Sequence, residues 1–150
     1  MEQPLFEQVG EAARSMTPAD LGVFRSRSHR RGIKVWFDTE KAGREHFEAQ
    51  LLSRRHVDGS DGMALEVGFH AEHREEDKND AVIELLKKRS KAWRRSLGDE
   101  AEVGLFFGAD RWRRVSEVWF EPDLEDPDLA FEVAARLVDY VTAIEPARRP

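Results

Sequence analysis

Three runs of alternating apolar and polar residues between Ile33 and Ala71 restrict the fold of this chain more than any other feature. Ile33, Val35 and Phe37 alternate with Lys34, Trp36 and Asp38. Phe47, Ala49 and Leu51 alternate with His46, Glu48 and Gln50, and Leu65, Val67, Phe69 and Ala71 alternate with Glu66, Gly68 and His70. Successive side chains of a strand point to opposite faces, so each run reads as a strand with one buried face. The segments between the runs, Thr39 to Gly43 and Arg54 to Gly62, carry Gly and Asp and suit hairpin connections. A meander is the simplest result.

The pairing register follows from the apolar set, because directly opposite residues of an antiparallel pair share a face. Val35 against Phe47 also sets Ile33 against Ala49. Phe47 against Phe69 sets Ala49 against Val67 and Leu51 against Leu65. Slips of two residues keep the faces, so this register is preferred rather than unique. It places Trp36, His46 and His70 in one row of the second face, Lys34, Glu48 and Gly68 in the next, and Gln50 opposite Glu66 beyond.

Helical spacing of Leu5, Phe6, Val9, Ala12, Ala13 and Met16 predicts a first amphipathic helix ending before Thr17-Pro18. Residues 21–31 begin with Val23 and Phe24 but are rich in Arg, and the pattern does not decide between strand and loop. Asp77, Asn79 and Asp80 offer N-caps to a helix bearing Val82, Leu85, Leu86, Trp93 and Leu97, closed by Gly98. A second hairpin is expected from Val103, Leu105 and Phe107, a turn over 108–111, and a strand from Trp112 to Phe120. Asp126-Pro127 reads as the opening of a last helix through Ala130, Val133, Leu137 and Val141. The expected fold is therefore α+β, an antiparallel five-stranded sheet in α-βββ-α-ββ-α order with helices packed on one face. One domain covers 1–145, with a loose tail over 146–150.

Composition limits the function classes. The net charge of -6 opposes bulk attraction to nucleic acid or anionic lipid, although basic stretches stand at Arg25 to Lys34, Arg54-Arg55-His56 and Lys87 to Arg95. The absence of Cys excludes disulfides, Cys-ligated zinc and thiol catalysis. Met1 to Gly10 has no apolar run, and no stretch approaches the roughly 20 apolar residues of a spanning helix, so a cytoplasmic protein without a membrane partner is expected. No phosphate loop, nucleophile elbow or dinucleotide fingerprint occurs, and no cofactor is expected on that ground.

The order of elements resembles the type III secretion chaperone-like fold, small α/β sandwiches that commonly dimerise and bind polypeptide segments. The resemblance covers most of the chain and rests on topology. It implies a non-enzymatic, chaperone-like or adaptor-like protein-binding module, homodimeric, whose binding face of Trp36, His46, Glu48, Gln50, Glu66 and His70 meets a second copy or a polypeptide partner.

The alternative is chemical. Two imidazoles with nearby carboxylates suit a divalent metal, with His46, Glu48, Glu66 and His70 as the candidate ligands. In outline the order also resembles restriction-endonuclease-like nucleases, which pair an acidic residue on the second strand with Glu-x-Lys or Asp-x-Lys on the third. Glu48 suits the first role, but the third strand reads Glu66-Val67-Gly68 and lacks the Lys, which implies a degenerate relative. His70-Ala71-Glu72-His73 looks like a metal motif but lacks the i, i+4 His pair of helical zinc sites and is set aside. The plainest expectation for this face is a wet sheet surface with cross-strand pairs such as Lys34 with Glu48.

Overall fold

A computed structural model describes residues 3–149, so expectations concerning Met1, Glu2 and Pro150 fall outside it. Helix α1 (Leu5–Met16) leads into strands β1 (Phe24–His29), β2 (Gly32–Phe37), β3 (Glu45–Ser53) and β4 (Met63–Ala71). Helices α2 (Glu76–Lys88) and α3 (Ser90–Leu97) follow, then the hairpin of β5 (Glu102–Phe106) and β6 (Ala109–Phe120), and helix α4 (Leu129–Arg148). The fold is α+β, and every strand pairing is antiparallel. Among the described residues the sheet has six strands in the order β1-β2-β3-β4-β6-β5, where the sequence pattern predicts five.

The additional strand is β1. It pairs only with β2 and buries only Phe24, while Arg25, Arg27 and His29 remain exposed. Charged side chains on an edge strand discourage pairing with other chains, and they also remove the alternation by which a strand is recognised. Its inner residues meet α1, where a Cβ on Gly10 would lie 3.8 Å from Ser26 Oγ and 2.9 Å from Ile33 Cδ1 on neighbouring β2.

The meander has the expected register. Val35 faces Phe47 and Ile33 faces Ala49 across β2 and β3; Phe47 faces Phe69, Ala49 faces Val67 and Leu51 faces Leu65 across β3 and β4. These residues join Phe6, Val9, Leu86, Trp93, Leu137 and Ile144 in one core, with α1 over β1 and β2, α4 over β3 and β4, and α2 against β6. Burying a Phe or Leu fully contributes about 1.5–3 kcal/mol, so this row dominates the stability of the sheet.

The helices depart from the sequence expectation at three places. The predicted middle helix breaks at Arg89 (φ -100°, ψ 10°), whose guanidinium caps α4 by donating to the Ala147 and Arg149 carbonyls, and the Trp93 indole donates to the Leu86 carbonyl. Asp77, Asn79 and Asp80 are not caps: α2 begins at Glu76, and buried Asn79 ties His73 and Arg111 together. Helix α4 starts at Leu129 because Asp126 and Pro127 close a turn, Asp126 accepting from the Asp128 amide. It continues through Pro146 to Arg148, and Arg148 and Arg149 both pair with buried Glu145. The second hairpin turns tightly at Phe107-Gly108, with Gly108 at φ +78°, a conformation that costs a glycine little. Among the described residues no helix is long and apolar enough to cross a membrane.

Candidate metal centre

Over its middle strands the second face of the sheet is not wet. His46, Glu48, Glu66, His70, Arg114 and Ser116 are all buried, as is Trp36, whose indole donates to the Thr39 carbonyl. The cover comes from the β5–β6 hairpin, which pairs through β6 with β4. Phe106 meets the His70 ring edge-on with centroids 4.8 Å apart and packs on Trp112, while the Arg114 guanidinium lies over Phe107. Lys34 does stand opposite Glu48, but Glu48 turns to the histidines instead.

Two adjacent strands each carry a His-x-Glu sequence. On β3 the period of two puts His46 and Glu48 on the same face; on β4 and just beyond it the same period aligns His70 and Glu72. His46 pairs directly with His70, so Glu48 and Glu72 flank the histidine pair from opposite sides. One donor atom from each of the four residues lies within 4.8 Å of all the others. His46 Nε2 is 3.0 Å from Glu48 Oε1 and 3.7 Å from Glu72 Oε2. His70 Nδ1 is 3.4 Å from Glu48 Oε1 and 3.3 Å from Glu72 Oε2. A tetrahedral zinc ion with bonds of about 2.0–2.1 Å separates its ligands by about 3.3–3.4 Å. The four imidazole–carboxylate distances, 3.0–3.7 Å, bracket that value, and the His–His and Glu–Glu separations lie within 4.8 Å.

The remaining nitrogen of each ring fixes what it offers to the cluster. His46 Nδ1 lies 3.1 Å from the Gly43 carbonyl, which only accepts, so Nδ1 carries a proton and the ring turns Nε2 inward, 3.0 Å from Glu48 Oε1. His70 Nε2 lies 2.9 and 3.0 Å from the two Glu66 oxygens and must likewise carry a proton. His70 Nδ1 is then the inward atom, and it is buried without a hydrogen-bond partner. Its near-equal distances from two carboxylates aim it between them, where neither closes a hydrogen bond.

Glu66, a candidate ligand by sequence, takes a different place. It stands on the far side of His70, accepting from His70 Nε2, from Gln50 at 2.8 Å and from Ser116 at 2.7 Å, and Arg114 extends the chain to Glu102. A carboxylate behind a histidine in this way fixes the tautomer and orientation of a metal-binding ring. Glu72, which sequence reasoning set aside together with His73, supplies the fourth donor instead. The doubled His-x-Glu on neighbouring strands was the signal for it. His73 turns away to Glu45.

The electrostatics of the site are those of a place for positive charge. Burial pushes the Glu48 carboxyl up, but His46 and His70 outweigh it and hold the group well below the usual carboxylate range. Burial also raises Glu66, and His70, Gln50 and Ser116 bring it below its ordinary value. Burial pushes His70 down, yet the charge of Glu66 and the carboxylates of Glu48 and Glu72 hold it well above the ordinary value.

Compared with family models, with curated proteins and with solved structures, the chain has no significant match. The reading of its function therefore stands on this geometry.

Proposed function

We propose that this protein binds one divalent transition-metal ion, held by His46 Nε2, Glu48 Oε1, His70 Nδ1 and Glu72 Oε2. The observation that carries the reading is the convergence of two imidazole nitrogens, one of them buried without a hydrogen-bond partner, and two carboxylates within 4.8 Å of one another. Coordinated imidazoles are neutral, so the two carboxylates balance a divalent cation, whose binding displaces the proton that the surrounding carboxylates favour on His70. Imidazole and carboxylate together suit zinc, cobalt, nickel or manganese, and four-coordination by such donors is the habit of zinc and cobalt.

Four protein donors fill a tetrahedron and leave no position for water or substrate, the arrangement of a structural rather than a catalytic centre. The ion would join β3 to the end of β4 and set the bend into α2. This reading takes up the metal alternative without its enzymatic part. The nuclease version finds no support, because Gly68 occupies the place of the Lys and Glu66 is engaged behind His70. Docking of a second copy directly on His46, Glu48, Glu66 and His70 finds none either, since these side chains are already buried within one chain.

Titration of metal-free protein with cobalt tests the proposal. Tetrahedral coordination gives intense visible absorption saturating at one equivalent, and zinc should displace it. A cobalt spectrum that remains that of the aqueous ion would overturn the reading.

A further inference from the structure

Helix α4 buries one side on β3 and β4 and leaves a stripe of the other uncovered. Phe131 is 62% exposed, Thr142 and Pro146 are exposed, and Ala135 and Val138 between them are half-buried. At 3.6 residues per turn these five positions share one face of the helix. An exposed phenylalanine at one end of an apolar stripe is the composition of an interface core.

The two ends of the stripe differ in charge. At its C-terminal end α3 and α4 enclose a groove of about 540 Å³ floored by Trp93, Ala143 and Ala147 and rimmed by the exposed cations Lys88 and Lys91. No acidic residue occurs between Leu85 and Gly98. At its N-terminal end the chain is acidic, with Asp123, Glu125, Asp128 and Glu132 all exposed. The 20 residues of α4 span roughly 30 Å at 1.5 Å per residue, so the acidic end cannot reach the groove of its own chain.

We infer that α4 is the contact surface of an isologous dimer in which two copies of this chain pack their α4 helices antiparallel. A twofold axis between Val138 and Asp139 brings Phe131 of each copy opposite Pro146 of the other, because these residues are equally far from that point. Phe131 then enters the α3–α4 groove, and Glu132 with its acidic neighbours faces Lys88 and Lys91. Both contacts form twice, which closes the assembly at two copies. The apolar floor suits a phenylalanine rather than a phosphate backbone, and the negative net charge disfavours a nucleic acid in the same groove. The inference is independent of the metal centre, which lies on the opposite face of the sheet.

Sedimentation velocity of the full chain at micromolar concentration reads the outcome. The wild type should sediment at twice its 17.3 kDa mass. Phe131→Glu should sediment as a monomer with an unchanged circular dichroism spectrum, since the side chain it replaces is exposed. Lys88→Glu with Lys91→Glu should also dissociate the dimer, and adding Glu132→Lys should restore it, a rescue that misfolding cannot produce. A monomeric wild type, or a dimer that survives Phe131→Glu, would overturn the assignment, and so would a monomer that instead captures acidic peptide or nucleic acid.

Discussion

Zinc added to metal-free protein should raise its melting temperature by an amount that the arrangement of the ligands sets. His46 and Glu48 come from β3, and His70 and Glu72 from β4 and the residue after its end, so the four donors meet only when the hairpin is paired. The unfolded chain has no such site, and the ion binds the native state alone. At free zinc 100-fold above the dissociation constant the native state gains about 2.7 kcal/mol, and at 1,000-fold about 4.1 kcal/mol. For a chain of 150 residues each kcal/mol is worth about 2–4 °C, so the first condition should raise Tm by roughly 5–11 °C. Differential scanning calorimetry measures the shift, and a chelator should reverse it. His46→Ala deletes one inward lone pair, and Glu72→Gln deletes one of the two charges, so both variants should lose most of the response. A wild-type Tm indifferent to zinc, cobalt, nickel and manganese would refute the argument. An equal shift in both variants would place the metal elsewhere.

Three further outcomes follow from particular contacts. Glu66→Gln replaces the carboxylate that holds the His70 Nε2 proton and should weaken metal affinity about 10–100-fold in competition with a chromophoric chelator, while an unchanged affinity would deny Glu66 an orienting role. Gly68→Ala puts a Cβ against the Val115 carbonyl oxygen and 2.5 Å from Ser116 Cα, so the β4–β6 pair must separate at a cost of at least about 1–3 kcal/mol, read as a lower urea midpoint. Tyr140→Phe removes the hydroxyl that donates to buried Glu117 at 2.9 Å and should cost about 1.5–3 kcal/mol, nearer the lower figure because Arg136 and Trp119 still hold Glu117. No loss of stability there would mean that those two partners satisfy the carboxylate alone.

The parts of this fold that the sequence discloses are those in which one element buries one face. Alternation over 33–71 specified the ladder down to the pairs Lys34 with Glu48, His46 with His70 and Gln50 with Glu66. A one-residue slip would have turned every apolar side chain outward, and among the registers that keep the faces the apolar pairs preferred the one observed. Strand β1 escaped because an edge strand buries little. The break at Arg89 escaped because the partners of its side chain lie 58 and 60 residues away, at the carbonyls of Ala147 and Arg149. Nothing in the local sequence around Arg89 reports where α4 ends.

The candidate site divides in the same way. Alternation alone brought His46, Glu48 and His70 to one patch of one face. Tertiary structure decided the rest: that β6 rather than β5 lies beside β4, that Phe106 and Phe107 then cover the patch, that Ser116 and Gln50 draw Glu66 behind His70, and that Glu72 swings in as the fourth donor. The reason is physical. The face on which a strand residue lies is a local property of the backbone. Whether a carboxylate on that face is solvated, paired or free to bind an ion depends on the side chains that distant parts of the chain lay over it.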